Sequence, residues 1–144
     1  MFHKVNQVEA LPGYKLSVMF AEGITKLYDM NPIFEKWKQF KSLKKDNDIF
    51  ESVKVEGGGY GISWNDELDL SCNELFENGK KIDTPFDGLM SFADATFFWE
   101  LNESTLRKAI VYGKLIKGID VRKFGKQWVV SMDAMKREYG NPAK

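Results

Sequence analysis

The chain of 144 residues has one cysteine, Cys72, and one histidine, His3. A lone thiol cannot build an internal disulfide framework. One thiol and one imidazole far apart in sequence supply no ligand cluster, so no metal site is expected. A cysteine–histidine nucleophile would need Cys72 and His3 to meet, and a buried structural thiol is the better reading of Cys72. Long apolar runs are also missing. None approaches the roughly 18 residues that a membrane-spanning helix requires. The opening Met1-Phe2-His3-Lys4-Val5 lacks the basic-then-apolar order of a secretory signal. These absences point to the cytoplasm. The glycine-rich run Gly57-Gly58-Gly59-Tyr60-Gly61 lacks the Lys-Ser/Thr ending and the following helix of a phosphate loop. Asp66, Glu67 and Asp69 read as a solvated acidic turn rather than a cation site. Neither an enzyme nor a cofactor is expected.

Net charge is absent overall but not locally. Residues 1–84 hold 11 Lys+Arg against 14 Asp+Glu, a net of −3, and residues 85–144 hold 10 against 7, a net of +3. Within residues 103–126 lie Arg107, Lys108, Lys114, Lys117, Arg122, Lys123 and Lys126, opposed only by Glu103 and Asp120. A basic stretch of this density is either a solvated face or the electrostatic footprint of a nucleic-acid binder.

The first half reads as short strands and turns. Val5 to Ala10 alternates apolar and polar residues, as does Tyr14 to Phe20, with Leu16, Val18 and Phe20 on one face. Ile24 to Met30 is a third strand, and the three form an antiparallel meander. A helix follows from Pro32 with Asn31 as its cap, because Ile33, Phe34, Trp37 and Phe40 recur at helical spacing. Lys44 to Asp48 reads as a loop. Phe50 to Val55 and Gly61 to Trp64 read as two further strands around a glycine hairpin tip. Ser71 with Glu74 forms a capping box that opens a short helix ending near Gly79. The polar segment 80–89, with Pro85 and Gly88, is expected to be a linker between domains 1–79 and 90–144.

The last third has a different pattern. Ser91 and Asp94 open a helix with Phe92, Ala95 and Trp99 as its apolar stripe. Asn102 caps a second helix from Glu103 to about Tyr112, closed by Gly113. Val121 to Phe124 and Gln127 to Val130 flank Gly125-Lys126, a two-residue hairpin with glycine first. Ser131 opens a last helix ending at Tyr139. Helix, turn, helix, hairpin and helix in this order predict a helix-turn-helix with a basic wing. Glu100 stands in the turn where glycine is common. Of the aromatics Phe97, Phe98 and Trp99, one is expected at an interface, since one face cannot bury all three.

The string Leu101-Asn102-Glu103-Ser104-Thr105-Leu106-Arg107-Lys108-Ala109-Ile110, with the hairpin Asp120 to Val130, resembles MerR- and excisionase-like winged helix domains over roughly residues 90–140. The N-terminal half is similar to the bacterial domain of unknown function 2442. That likeness rests on Leu16 to Gly23, on Tyr28-Asp29-Met30, and on the stretch from Asp69-Leu70-Ser71 to Gly79. The two resemblances imply an α+β protein: a small antiparallel-sheet domain with short helices, then a winged helix-turn-helix. They imply an autorepressing, antitoxin-like DNA-binding regulator whose residues 1–79 bind a protein partner such as a toxin. The rival reading is a mobile-element or phage inhibitor that acts by protein binding, with the helix-turn-helix accessory. In a recognition helix, Asn102, Ser104, Thr105, Arg107 and Lys108 meet bases or phosphates, with Arg107 the candidate for a bidentate guanine contact. Lys114, Arg122, Lys123 and Lys126 neutralise phosphate. A homodimer on a palindromic duplex is expected, because one such module touches few base pairs.

Overall fold

A computed structural model describes residues 2–144. The chain folds as two compact units, one up to Asp87 and one from Gly88 to Lys144.

In the first unit, β1 (Val5–Leu11), β2 (Lys15–Phe20) and β3 (Thr25–Asp29) form the expected meander. Leu16, Val18 and Phe20 are all fully buried, so the alternation of β2 correctly marks its core face. The sheet has a fourth strand, β7 (Lys80–Ile82), antiparallel to β3. A second sheet contains β4 (Lys54–Val55), β5 (Gly61–Ser63) and β6 (Asp69–Ser71), with β5 central. Ser71 caps α4 (Cys72–Asn78) as its pattern predicts, its hydroxyl accepting from the Glu74 amide at 3.1 Å.

Five expectations for this unit are corrected. The helix after Asn31 is broken into α1 (Asn31–Lys36), a 3-10 turn (Lys38–Phe40) and α2 (Lys41–Lys45), because Trp37 is extended at φ −126° and ψ 104°. Asn31 is not the cap; it lies inside α1, and its side-chain amide donates to the Gly13 carbonyl and to Asp29 Oδ1. The 44–48 segment is helical at both ends, finishing α2 and starting α3 (Asn47–Glu51), which Asp46 caps by accepting from the Asp48 amide. Phe50 therefore lies within α3, and the strand begins only at Lys54. The Phe50 ring is buried against Tyr14, and its carbonyl accepts from Trp64 Nε1 at 3.0 Å.

The fifth correction concerns the 80–89 segment. It is not an empty linker: it supplies β7 to the first unit, and Leu89 opens β8 (Leu89–Ser91) of the second. Lys80 and Lys81 are polar because β7 is an edge strand. Backbone pairing holds it, and exposed lysines blunt the free edge.

A polar network ties β3 to α4. The Tyr28 hydroxyl, on a side chain 2% exposed, donates to Glu74 Oε2 at 2.7 Å, and Asn78 Nδ2 donates to the same oxygen at 2.8 Å. Burial, then the hydrogen bond and charge of Glu74, push the Tyr28 hydroxyl well above the ordinary phenol range, so it remains a donor. Tyr28→Phe is expected to destabilise the first unit by about 1.5 kcal/mol, the usual worth of a hydrogen bond to a carboxylate, which urea unfolding of the full chain would measure.

The second unit contains β8, α5 (Phe92–Trp99), α6 (Glu103–Val111), β9 (Val121–Phe124), β10 (Gln127–Ser131) and α7 (Met132–Tyr139). Its sheet runs β8-β10-β9, all antiparallel. Met90, Phe92, Ala95, Phe98, Trp99, Leu106, Ala109, Leu115, Val121, Val130, Met132, Ala134 and Met135 are its buried apolar side chains. Among the described residues no helix is long and apolar enough to cross a membrane.

Candidate nucleic-acid interface

The turn between α5 and α6 consists of Glu100, Leu101 and Asn102. Glu100 takes the left-handed conformation, φ 53° and ψ 47°, that glycine adopts without strain. Its amide and that of Leu101 bond back to the Phe97 and Thr96 carbonyls, which satisfies the last turn of α5. The geometry that glycine would favour is thus adopted by a glutamate. Glu100→Gly is expected to stabilise the second unit by about 0.5–1 kcal/mol, visible as a melting midpoint raised by a few degrees.

On α6, Leu106 and Ala109 are buried, while Ser104, Arg107, Lys108 and Val111 share the opposite, solvent-facing stripe. Thr105 is half-buried on the flank, away from that stripe. Asn102 occupies the cap position and is exposed, but its side chain makes no capping bond, contrary to the sequence reading. It is therefore free to meet a ligand. Arg107 Nη2 lies 3.0 Å from Glu103 Oε1, both side chains more than half exposed. Such a surface pair is worth only ~0.5 kcal/mol, less than the ~1–3 kcal/mol of a bidentate guanine contact, so it can be exchanged for one.

The C-terminal end of α6 is closed at Gly113, φ +79°, with the Gly113 and Lys114 amides bonded to the Ile110 and Ala109 carbonyls. From Lys114 the chain runs to Asp120 and enters the wing. Gly125 has φ +61° and Lys126 does not take a positive φ, as a turn of type II′ requires. The register separates the wing cations. Val121 and Val130 pair on the core face, so Lys123, opposite Trp128, lies on that face, and Arg122, opposite Val129, lies on the other. Lys126 sits in the turn. The wing is thus basic on both faces rather than on one.

Trp128 stacks on Phe92 at 5.8 Å, whereas Phe124 is 55% exposed. Of the three consecutive aromatics, Phe98 and Trp99 are buried within the unit, and Phe97 is exposed with Lys144 Nζ 4.3 Å from its ring centre. Leu89, Ile119, Phe124 and Val129 line a shallow cleft of about 170 Å³ beside the wing, too small for a drug-sized ligand.

Lys108, Lys114, Arg122, Lys123 and Lys126, with Lys117, are all exposed, and none has a carboxylate in ion-pair reach among the described residues. Asp120, counted in the sequence as an acid opposing this stretch, does not oppose it. Its side chain is 6% exposed and pairs with Arg137 of α7, Nη1 to Oδ1 at 3.1 Å and Nη2 to Oδ2 at 2.8 Å. Sequence reasoning missed this pair, because nothing in the pattern links positions 17 residues apart on two different elements.

A family model described as Protein of unknown function (DUF2442) matches residues 5–81, over half of the chain. The chain belongs to this family. A second family model, described as a Helix-turn-helix domain, matches residues 81–144, which covers α5, α6, the wing and α7. Both regions are those identified from the sequence motifs. The helix-turn-helix match makes the segment after the DUF2442 region a domain of DNA-binding type. No curated protein and no solved structure matches the chain.

Guanidinium hydrogen bonds, then the Ile116 amide, hold the Asp120 carboxyl below its ordinary range. A depressed carboxylate adds stability that is present above the unfolded value, ~3.9, and lost as pH falls through the lower folded one. The second unit's melting midpoint is therefore expected to drop on acidification below about pH 4, and Asp120→Asn to flatten that drop in melts across pH 2.5–6.

Proposed function

We propose that the chain is a sequence-specific DNA-binding transcriptional regulator, which lays α6 in the major groove and the β9–β10 wing on the flanking backbone. The observation that carries this reading is the set of six exposed cations without ion-pair partners on α6, its exit loop and the wing. Cations left unpaired on an exposed helix-turn-helix are what release counterions from a phosphate backbone. Ser104, Arg107 and Lys108 share the outward stripe of α6 and are the base-reading set, with Asn102 at its start. Lys114, Arg122, Lys123 and Lys126 are the phosphate-positioning set. Thr105, half-buried, has a smaller part. The acidic N-terminal part, residues 1–79, serves as the protein-binding part of an antitoxin-like autorepressor. A two-fold dimer suits such a module, because one copy covers too few base pairs for a unique site.

Titration of the full chain against its own upstream DNA and a scrambled duplex, at several salt concentrations, tests this. Affinity should fall steeply with salt, and the upstream duplex should bind about 1,000-fold tighter than the scrambled one. The triple variant Arg107→Ala, Arg122→Ala, Lys123→Ala should abolish that preference. Absence of binding even at low salt would overturn the regulator reading and leave a protein-binding inhibitor as the alternative.

A further inference from the structure

Arg137 lies on α7, outside both the helix and the wing that meet DNA in the reading above. Its guanidinium nevertheless holds the segment that joins them. Nη2 donates to the Lys114 carbonyl at 3.0 Å and to Asp120 Oδ2 at 2.8 Å, and Nη1 donates to Asp120 Oδ1 at 3.1 Å. The Lys114 amide bonds back into α6, at the Ala109 carbonyl, 2.9 Å away, as does the Leu115 amide at 3.2 Å. Asp120 immediately precedes β9, and its carbonyl accepts from the Ser131 amide of the wing's other strand at 2.9 Å. One planar head therefore touches a residue bonded back to α6 and the residue that leads into β9.

We infer that Arg137 is a positioning residue for DNA binding: it fixes the wing relative to α6 by clamping both ends of the connection between them. The inference rests on the DNA-binding reading and deepens it.

The clamp is reinforced from inside. Asp120 Oδ2 also accepts from the Ile116 amide at 2.9 Å, and the Asp120 amide donates to the Ile116 carbonyl at 2.7 Å. The Val121 amide donates to the Ile116 carbonyl and the Gly118 amide to the Val121 carbonyl. Leu115 is the one buried apolar anchor of the segment, while Ile116 and Ile119 are 48% and 76% exposed. A segment with so little packing depends on its polar bonds to keep one shape. Arg137 Nε donates to Glu138 Oε2 at 2.8 Å, which fixes the orientation of the fork. Two carboxylates balance the guanidinium, so Arg137 is not itself a phosphate contact. Lysine keeps a cation here but cannot span a carboxylate and a carbonyl with one rigid head.

The test uses the full chain and a mixed-sequence duplex of about 30 base pairs over ~50–300 mM salt, where each wing phosphate contact adds ~0.9 to the slope of log affinity against log salt. Arg137→Lys leaves net charge unchanged and should nevertheless lower the slope by about 2–3, because the contacts of Arg122, Lys123 and Lys126 are lost. Adding the wing triple variant, Arg122→Ala, Lys123→Ala, Lys126→Ala, to Arg137→Lys should change the slope little further, whereas in the parent chain it removes the same amount. Asp120→Asn should lower the slope likewise, despite making the chain more positive. It also decides the matter if Arg137→Lys melts too close to the assay temperature. A full wing contribution persisting in folded Arg137→Lys or Asp120→Asn would show a merely structural clamp and overturn this inference alone. No salt-dependent binding by the parent chain would overturn the DNA reading, and the inference with it.

Discussion

The Asp120 carboxylate is held almost wholly out of water, and a carboxylate so placed must find partners for its lone pairs or lose its charge. The bidentate Arg137 head and the Ile116 amide fill that need. The consequence reaches well beyond one ion pair. The α6 exit, the bend before β9 and the face of α7 carrying Arg137 must all be arranged so that these donors converge. Apolar packing around Leu106, Ala109 and Leu115 supplies the bulk of the burial, but it is non-directional. The hydrogen bonds of the clamp select one path for the connection among those the packing would allow.

The interface itself is built by subtraction. Helix periodicity sends Leu106 and Ala109 inward, which leaves Ser104, Arg107, Lys108 and Val111 outward without further instruction. Strand alternation does the same for the wing, but with period two, so the adjacent cations Arg122 and Lys123 are driven to opposite faces. The same rule leaves Phe124 exposed beside Arg122's face instead of in the core.

The DUF2442 region obeys the same local rules with one complication. Its meander is held by β2, whose inward side chains are fully buried, and its last strand, β7, contributes almost nothing but backbone. Strands of that kind carry no apolar alternation to betray them. The short helices between Asn31 and Glu51 are likewise fragmented by Trp37 and Asp46, both extended, although the apolar spacing through Phe40 is continuous. There the pull of burial on Phe34, Phe40, Leu43 and Phe50 overrides helix continuity.

By itself the sequence determined whatever depends on neighbours along the chain. Ser71, Ser91 and Ser131 cap their helices, the Gly125-Lys126 turn closes the wing, and β1, β2, β3, α5, α6 and α7 lie close to where their patterns place them. These features need only a few residues' worth of hydrogen bonding or periodicity, so they are written locally. Tertiary structure alone decided the rest: β7 and β8 as sheet edges, and the union of Asp120 with Arg137. Each of these depends on groups distant in sequence meeting in space, where burial and pairing outweigh local preference.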